Sequence, residues 1–73
     1  MTRDYDARGM ICPLPVLKAR KLLLAMQPGE LLHLQTDDPV AVIDIPHFCT
    51  EAGHHLVSST ADGSVTRWTI RRG

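Results

Sequence analysis

Prolines and glycines divide this chain of 73 residues into short segments, and their positions restrict the folds that it can adopt. Pro28-Gly29 ends one apolar segment, Asp37-Asp38-Pro39 opens another, and Gly53 ends that one. Glycine just after a helix and proline in its first turn are typical helix termini. Asp62-Gly63 is a strong signal for a tight turn between two strands. These residues therefore predict two helices followed by a hairpin.

The apolar pattern supports both predicted helices. The first, residues 13–26, carries apolar residues at helical spacing: Val16, Ala19, Leu23 and Met26. The second, residues 39–52, contains Pro46, which removes a backbone donor and is expected to kink or split the helix. We expect a bent helix there, with Ile45 and Phe48 both reaching the sheet.

Four segments are predicted to be strands: residues 5–8, 31–36, 55–60 and 65–71. Right-handed crossovers place both helices on the same face of one sheet, and the final hairpin is antiparallel. The sequence therefore predicts an α/β two-layer sandwich of order βαβαββ, with a four-stranded mixed sheet and two helices on one face. A chain of this length makes one small domain, residues 1–73.

The charge balance argues against several classes of partner. Eight Lys and Arg residues match eight Asp and Glu residues, so no global field attracts nucleic acid or an anionic membrane. Arg67, Arg71 and Arg72 are interpreted as edge-strand charges that discourage aggregation. The charged start lacks the apolar stretch of a secretory signal, and no segment is long enough to span a bilayer. We expect a cytoplasmic protein without stable nucleic-acid or membrane binding.

Cys12 precedes two prolines at the start of the first predicted helix. This position predicts Cys12 at the N-cap and Pro13 at the first helical residue. There, the unpaired N–H of Leu14 and the helix dipole would favour a thiolate. Pro15 stands where a CxxC motif has its second cysteine, which excludes disulfide exchange within the motif. A lone activated sulfur fits a group carrier, and a cysteine that only caps the helix is the structural alternative.

Other residues complete the candidate site. Gly9 is expected to supply the backbone freedom that turns the chain towards Cys12. Cys49 is predicted to be a small core residue, with a resolving thiol that closes a disulfide to Cys12 as the alternative. Asp37 and Asp38 are predicted to cap the second helix, and Asp38 could also border the Cys12 site and face a basic partner. No metal site is expected, because no CxxC or HxxxH pair anchors one.

The outer face of the first helix is predicted to be apolar and basic. The 100° step per residue turns six side chains outwards: Leu14, Leu17, Leu24, Lys18, Arg20 and Lys21. We predict that Leu17, Arg20 and Leu24 dock an acidic, apolar patch of a partner protein. Leucines that merely flank the edge of the core are the alternative interpretation.

Short motifs along almost the whole chain carry a family resemblance. They are DARG at 6–9, CPLP at 12–15, Lys21, PGE at 28–30, DDP at 37–39, DIPHFC at 44–49, GH at 53–54 and DG at 62–63. By these residues the sequence resembles the TusA/SirA-like family of small sulfur carriers, whose CPxP cysteine corresponds to Cys12. Tyr5 occupies a usually aliphatic position, a departure that concerns packing.

The resemblance implies a fold and a function. The family fold is a βαβαββ sandwich that also occurs in the C-terminal domain of translation initiation factor three. The resemblance implies that Cys12 accepts sulfur as a persulfide from a protein donor, such as a cysteine desulfurase or rhodanese-like protein, and passes it to an acceptor protein thiol. No cofactor is expected. Family members serve transfer RNA thiolation, molybdenum-cofactor enzymes or sulfur oxidation. The alternative is a regulatory or RNA-associated binding module in which Cys12 is only a helix cap.

Overall fold

The computed structural model describes residues 2–73, over which the elements follow the order βαβαββ. These elements are β1 (Thr2–Asp6), α1 (Leu14–Leu24), β2 (Leu31–Thr36), α2 (Ala41–Ala52), β3 (His55–Asp62) and β4 (Val65–Arg71). Neither helix is long and apolar enough to cross a membrane in this part of the chain.

The strands form one mixed sheet in the order β1-β2-β4-β3. β1 runs parallel to β2, whereas β4 is antiparallel to both β2 and β3. Because β4 lies between these two strands, the interpretation of Arg67, Arg71 and Arg72 as edge-strand charges is wrong.

In the central pair, Leu32 lies opposite Ile70 and Leu34 lies opposite Trp68. All four are buried, which places the core against one face of the sheet. The predicted α/β two-layer sandwich with its βαβαββ order is confirmed.

The core is completed by the apolar faces of both helices. On α1, Ala19 and Leu23 are fully buried, and on α2, Ile45, Phe48 and Cys49 join the same cluster. The inward orientation predicted for the first helix is confirmed. The buried hydroxyl of Thr36 accepts a hydrogen bond from the indole Nε1 of Trp68 at 2.9 Å, so this polar group is satisfied inside the core.

Two strands differ from their predicted bounds. β1 begins at Thr2, three residues earlier than predicted, because it pairs with β2 from Leu31 onwards. It ends at Asp6, because the Asp6 carboxylate accepts hydrogen bonds from the backbone and side chain of Arg8 and thereby forms a turn. β3 extends to Asp62, because the hairpin needs only Gly63 and Ser64 at its tip. Gly63 has a φ of +61°, as the first central residue of a type II′ turn requires.

The helices also start and end differently from the prediction. α1 begins at Leu14, with Pro13 as its N-cap, and ends at Leu24. α2 begins at Ala41, because a turn precedes it in which the Ala41 N–H donates to the Asp38 carbonyl at 3.0 Å. α2 continues through Pro46 as one helix, which excludes a split at this proline, the alternative to the expected bend. Packing of its apolar face on the core sustains the helix despite the lost donor. The bend stays a prediction.

Candidate functional site

The loop between β1 and α1 presents Cys12 at the surface. Ala7 is buried, and its N–H donates to the Gln35 carbonyl on β2 at 2.8 Å. Met10 packs against the core, and its N–H donates to the Ala7 carbonyl at 3.2 Å. Between them, Gly9 has a φ of +83°, so the chain uses the backbone freedom expected of this glycine. These anchors fix the loop while leaving the thiol accessible.

The acidic loop after β2 is tied directly to the Cys12 loop. The Gly9 N–H donates to Asp37 Oδ1 at 2.9 Å, and the Cys12 N–H donates to Asp38 Oδ2 at 2.6 Å. The other carboxylate oxygen of Asp38 accepts the Val40 N–H at 3.2 Å, ahead of α2. The prediction that Asp38 borders the Cys12 site is confirmed. Asp38 thus joins the cysteine loop to the segment before the second helix. The prediction that Asp37 and Asp38 cap this helix is wrong, because its N-cap is Val40 and no side chain in the described part of the chain makes a cap hydrogen bond there.

Asp44, in the first turn of α2, is a site residue that the sequence reasoning missed. The Cys12 thiol donates a hydrogen bond to Asp44 Oδ2 at 3.0 Å. The predicted topology could have indicated this contact, because Asp44 is an acidic residue in the first turn of a helix that begins at the same end of the sheet as the cysteine loop. Its position within the DIPHFC motif gave no indication of contact with Cys12.

The surroundings of Cys12 favour the thiol over the thiolate. The Asp44 carboxylate, which accepts the thiol hydrogen bond, raises the pKa of Cys12, and lost hydration and the charges of Asp44 and Asp38 act in the same direction. The expected stabilisation of a thiolate is therefore wrong.

The N-cap of α1 is Pro13, and the Leu14 N–H donates to the Ile11 carbonyl at 2.9 Å. Because Pro13 is the N-cap residue and the Leu14 N–H bonds to Ile11, the interpretation of Cys12 as a helix cap is also wrong.

The two prolines of the CPLP motif have different surroundings. Pro13 is exposed at the N-cap of α1 and follows a cis peptide bond. Pro15 is fully buried in the first turn of α1, where no intrahelical donor is lost. Pro15 therefore contributes to packing beneath the cysteine loop.

The outer surface of α1 carries the predicted docking residues. Leu14, Leu17 and Leu24 are 53%, 50% and 64% exposed, so their outward orientation is confirmed. Three basic residues share this helix: Lys18, Arg20 and Lys21. The Lys18 ammonium lies 5.0 Å from the centre of the Tyr5 ring, within range of a cation–π contact. We call these three leucines and three basic residues the leucine face.

A cleft between α1 and α2, the helix groove, begins beside the cysteine loop. Its volume is about 280 Å³, and it is lined by Pro13, Val16, Asp44, His47, Phe48 and Glu51. A second depression of about 260 Å³ shares Phe48 and Glu51 with it and extends to Arg20 and Ala52. Because Asp44 both lines the groove and accepts the Cys12 hydrogen bond, one end of the groove lies at the thiol.

Cys49 has surroundings unlike those of Cys12. Its side chain is in the core and 2% exposed, so its prediction as a core residue is confirmed. Burial raises the pKa of the Cys49 thiol. Both cysteines are free thiols. Within residues 2–73, no group of three or more His, Cys, Asp or Glu side chains is arranged to hold a metal ion.

Comparison with known proteins identifies the family. Residues 3–72 match the family model described as sulfurtransferase TusA. The fold is similar to the crystal structure of a SirA-like protein from Desulfitobacterium hafniense, with a TM-score of 0.85 and 25% sequence identity over 97% of each chain. The family match covers the cysteine loop, both helices and nearly all of the sheet. The chain therefore belongs to the TusA sulfurtransferase family.

Proposed function

We propose that this protein carries sulfur as a persulfide on Cys12, from a protein donor to a thiol of an acceptor protein. A cysteine desulfurase or a rhodanese-like protein is the class of donor. Membership of a sulfur-transfer family supports the general role. One observation carries the assignment to Cys12: its thiol is exposed on a loop anchored at both ends, whereas the Cys49 thiol is buried.

The transfer consists of two thiol exchanges without net oxidation. In loading, Cys12 Sγ attacks the terminal sulfur of the donor persulfide. A new Sγ–S bond forms, and the donor S–S bond breaks with its electron pair going to the donor sulfur. The proton that Cys12 gives up is transferred to that donor sulfur, which leaves as a thiol. In unloading, the acceptor thiolate attacks the terminal sulfur on Cys12 in the same manner. The acceptor gains the persulfide, and Cys12 leaves as a thiolate that takes up the proton given up by the acceptor thiol, which restores the Cys12 thiol.

Asp44 would assist loading and slow premature release. Its carboxylate already accepts the Cys12 hydrogen bond, so it is positioned to receive the proton as the Sγ–S bond forms. A thiol whose pKa is raised is a poorer leaving group, so small thiols should remove the sulfur slowly. Slow release would keep the sulfur on Cys12 until an acceptor docks.

The leucine face would dock the donor. Leu17, Arg20 and Leu24 complement an acidic, apolar patch, since apolar contact contributes affinity and opposite charge contributes orientation. Asp38 would face a basic residue of the partner near the reacting sulfurs. Its carboxylate also holds the Cys12 N–H, so a contact there would act directly on the cysteine loop.

The free cysteines also bear on the cellular compartment of this carrier. Two free thiols suit a reducing compartment, and we assign the protein to the cytoplasm. Residues 1–73 would act as one sulfur-carrier domain, with its chemistry on its own cysteine and without a cofactor. Delivery to transfer RNA thiolation, molybdenum-cofactor enzymes or sulfur oxidation then depends on the acceptor.

Sulfur loading tests the proposal. The wild type, Cys12→Ser and Cys49→Ser are incubated with a cysteine desulfurase and cysteine, and intact masses are measured. We expect one added sulfur atom on the wild type and on Cys49→Ser, and none on Cys12→Ser. A persulfide that survives Cys12→Ser at the wild-type level contradicts the proposal, and one lost only in Cys49→Ser transfers the role to Cys49.

A further inference from the structure

We propose that the helix groove docks the acceptor, by holding an extended segment in which a leucine-like residue and then a basic residue follow the cysteine that receives the sulfur. This inference rests on the proposed function, because it identifies the partner that unloads Cys12. It separates the acceptor site from the leucine face, where the donor docks.

The position of the groove supports this assignment. Pro13, next to Cys12 in the chain, lines its opening. Asp44 lines the same opening and accepts the Cys12 hydrogen bond at 3.0 Å. A segment whose thiol reaches the Cys12 sulfur would therefore continue directly into the space between the helices.

The size and lining of the groove indicate what it holds. Its apolar surface comes from Pro13, the partly buried Val16 and the Phe48 ring, which is 9% exposed. Its volume of about 280 Å³ lies just below the range of about 300–1,000 Å³ that is usual for small-molecule sites. An apolar side chain of a polypeptide segment fits such a cleft better than a complete metabolite does.

The charges along the groove specify the next residue of the segment. Asp44 lines the end near Cys12, and Glu51 lies where the groove meets the second depression, with its carboxylate 3.6 Å from His47 Nε2. The Glu51 side chain is 70% exposed, so it can pair with a visiting cation. An acidic residue of the segment would instead face two carboxylates. Arg20 lines the second depression, beyond Glu51, so the acidic stretch is limited to about the length of the helix groove.

The opposite charges of the two surfaces give the carrier a means of distinguishing its partners. The leucine face carries Lys18, Lys21 and, on its side towards α2, Arg20, which also lines the second depression. The groove beside the thiol carries Asp44 and Glu51. A donor with an acidic patch is attracted to the first surface and repelled by the second. An acceptor segment with a basic residue has the reverse preference.

Two peptides test the groove. In one, leucine and lysine follow a cysteine, and in the other, glutamate replaces the lysine. Sulfur transfer from loaded Cys12 is expected to be about two- to fivefold faster to the lysine peptide, the effect of one exposed ion pair. Glu51→Lys should reverse this order. Asp4→Lys is the matched control, because Asp4 is an exposed acid on β1, in register with His33 on the open face of the sheet.

Binding is measured separately with a lysine peptide that has serine in place of its cysteine, by NMR of the unloaded protein. We expect shifts at Val16 and Phe48. Shifts confined to Leu17 and Leu24, or equal transfer rates for both peptides, would overturn the groove assignment. If the carrier function itself is wrong, no sulfur loads on Cys12. The NMR experiment with the serine peptide still shows whether the segment binds in the groove.

Discussion

The two cysteines of this chain have raised pKa values for different physical reasons. A hydrogen bond from the thiol to the Asp44 carboxylate is the main cause at Cys12, whereas burial is the cause at Cys49. Cys12 is exposed on a loop, and Cys49 lies on the buried face of α2, in the core. The two thiol pKa values therefore shift in the same direction, mainly through an accessible carboxylate at Cys12 and through the loss of water at Cys49.

This difference determines which thiol can be regulated. The effect of Asp44 can be removed by one substitution or offset by a cation of a docked partner. The effect of burial on Cys49 ends only when the core opens. A protein that must hold sulfur at one time and release it at another needs the first kind of control. The comparison thus supports Cys12 as the working thiol and Cys49 as part of the packing.

The largest expected effect concerns the core around Cys49. Phe48→Ala should lower the free energy of unfolding by about 3–5 kcal/mol, because a buried ring is lost and a cavity remains. The neighbouring Cys49 should also become more reactive, since the core opens more often. Leu24→Ala is the control at an exposed position and should change stability by less than about 0.5 kcal/mol. An unchanged unfolding midpoint for Phe48→Ala in urea would mean that the ring does not stabilise the core.

A smaller effect is expected on the donor side of Cys12. Leu17→Glu combined with Arg20→Glu should slow sulfur transfer from a protein donor about tenfold, which corresponds to about 1.4 kcal/mol, by removing apolar contact and reversing charge. Stability and labelling of Cys12 by a small electrophile should stay as in the wild type, because both side chains are exposed. Unchanged transfer kinetics would place the donor on another surface.

Removal of the carboxylate beside Cys12 should change its reactivity with small reagents. Asp44→Asn should lower the pKa of the Cys12 thiol towards its ordinary value and speed alkylation near pH 7 severalfold, because the thiolate is the nucleophile. The pH profile of iodoacetamide labelling measures this effect. Asp4→Asn serves as the control, since Asp4 is an exposed acid at a different place in the sheet. An identical profile for Asp44→Asn would show that its hydrogen bond does not control the thiol.

The smallest expected effect is on stability at alkaline pH. Both thiols have a higher pKa folded than unfolded, so the folded protein holds these protons more tightly and unfolding releases them as the pH rises. Their contribution is complete below the unfolded thiol pKa of about 8.5 and is lost as the pH rises through the folded values. Cys12→Ser should therefore lose less stability than the wild type between pH 8 and 10 in urea unfolding. A steeper loss in the variant would contradict the raised pKa of Cys12.

Much of the fold could be predicted from local residue patterns. The β2 and β4 bounds and the inward face of α1 follow from alternation and helical spacing, and both match the structure. The end of β1 and the start of α2 depend on local turns. The Asp6 carboxylate bonds to Arg8, and Asp38 accepts the Val40 N–H with its carboxylate and the Ala41 N–H with its carbonyl. Such bonds compete with regular structure over a few residues, so apolar periodicity does not reveal them.

The candidate site was less predictable than the fold, because its electrostatics depend on contacts distant in sequence. The position of Cys12 before a helix predicted a stabilised thiolate, because only the dipole of that helix was taken into account. Asp44 lies 32 residues further along the chain, and its hydrogen bond reverses the expected shift in the Cys12 pKa. Asp38 could be placed near Cys12 from topology, since the loops at this end of the sheet lie together.

A load-and-chase experiment determines whether Cys12 both receives and delivers the sulfur. The wild-type protein is loaded by a cysteine desulfurase with isotopically labelled sulfur and then mixed with an acceptor thiol protein, and peptide fragments are analysed by mass spectrometry before and after. The label is expected on the fragment that contains Cys12 and not on the one that contains Cys49, and it should leave Cys12 as an equal amount appears on the acceptor. Label on Cys49, or label that stays on Cys12 while the acceptor remains unlabelled, would contradict the account.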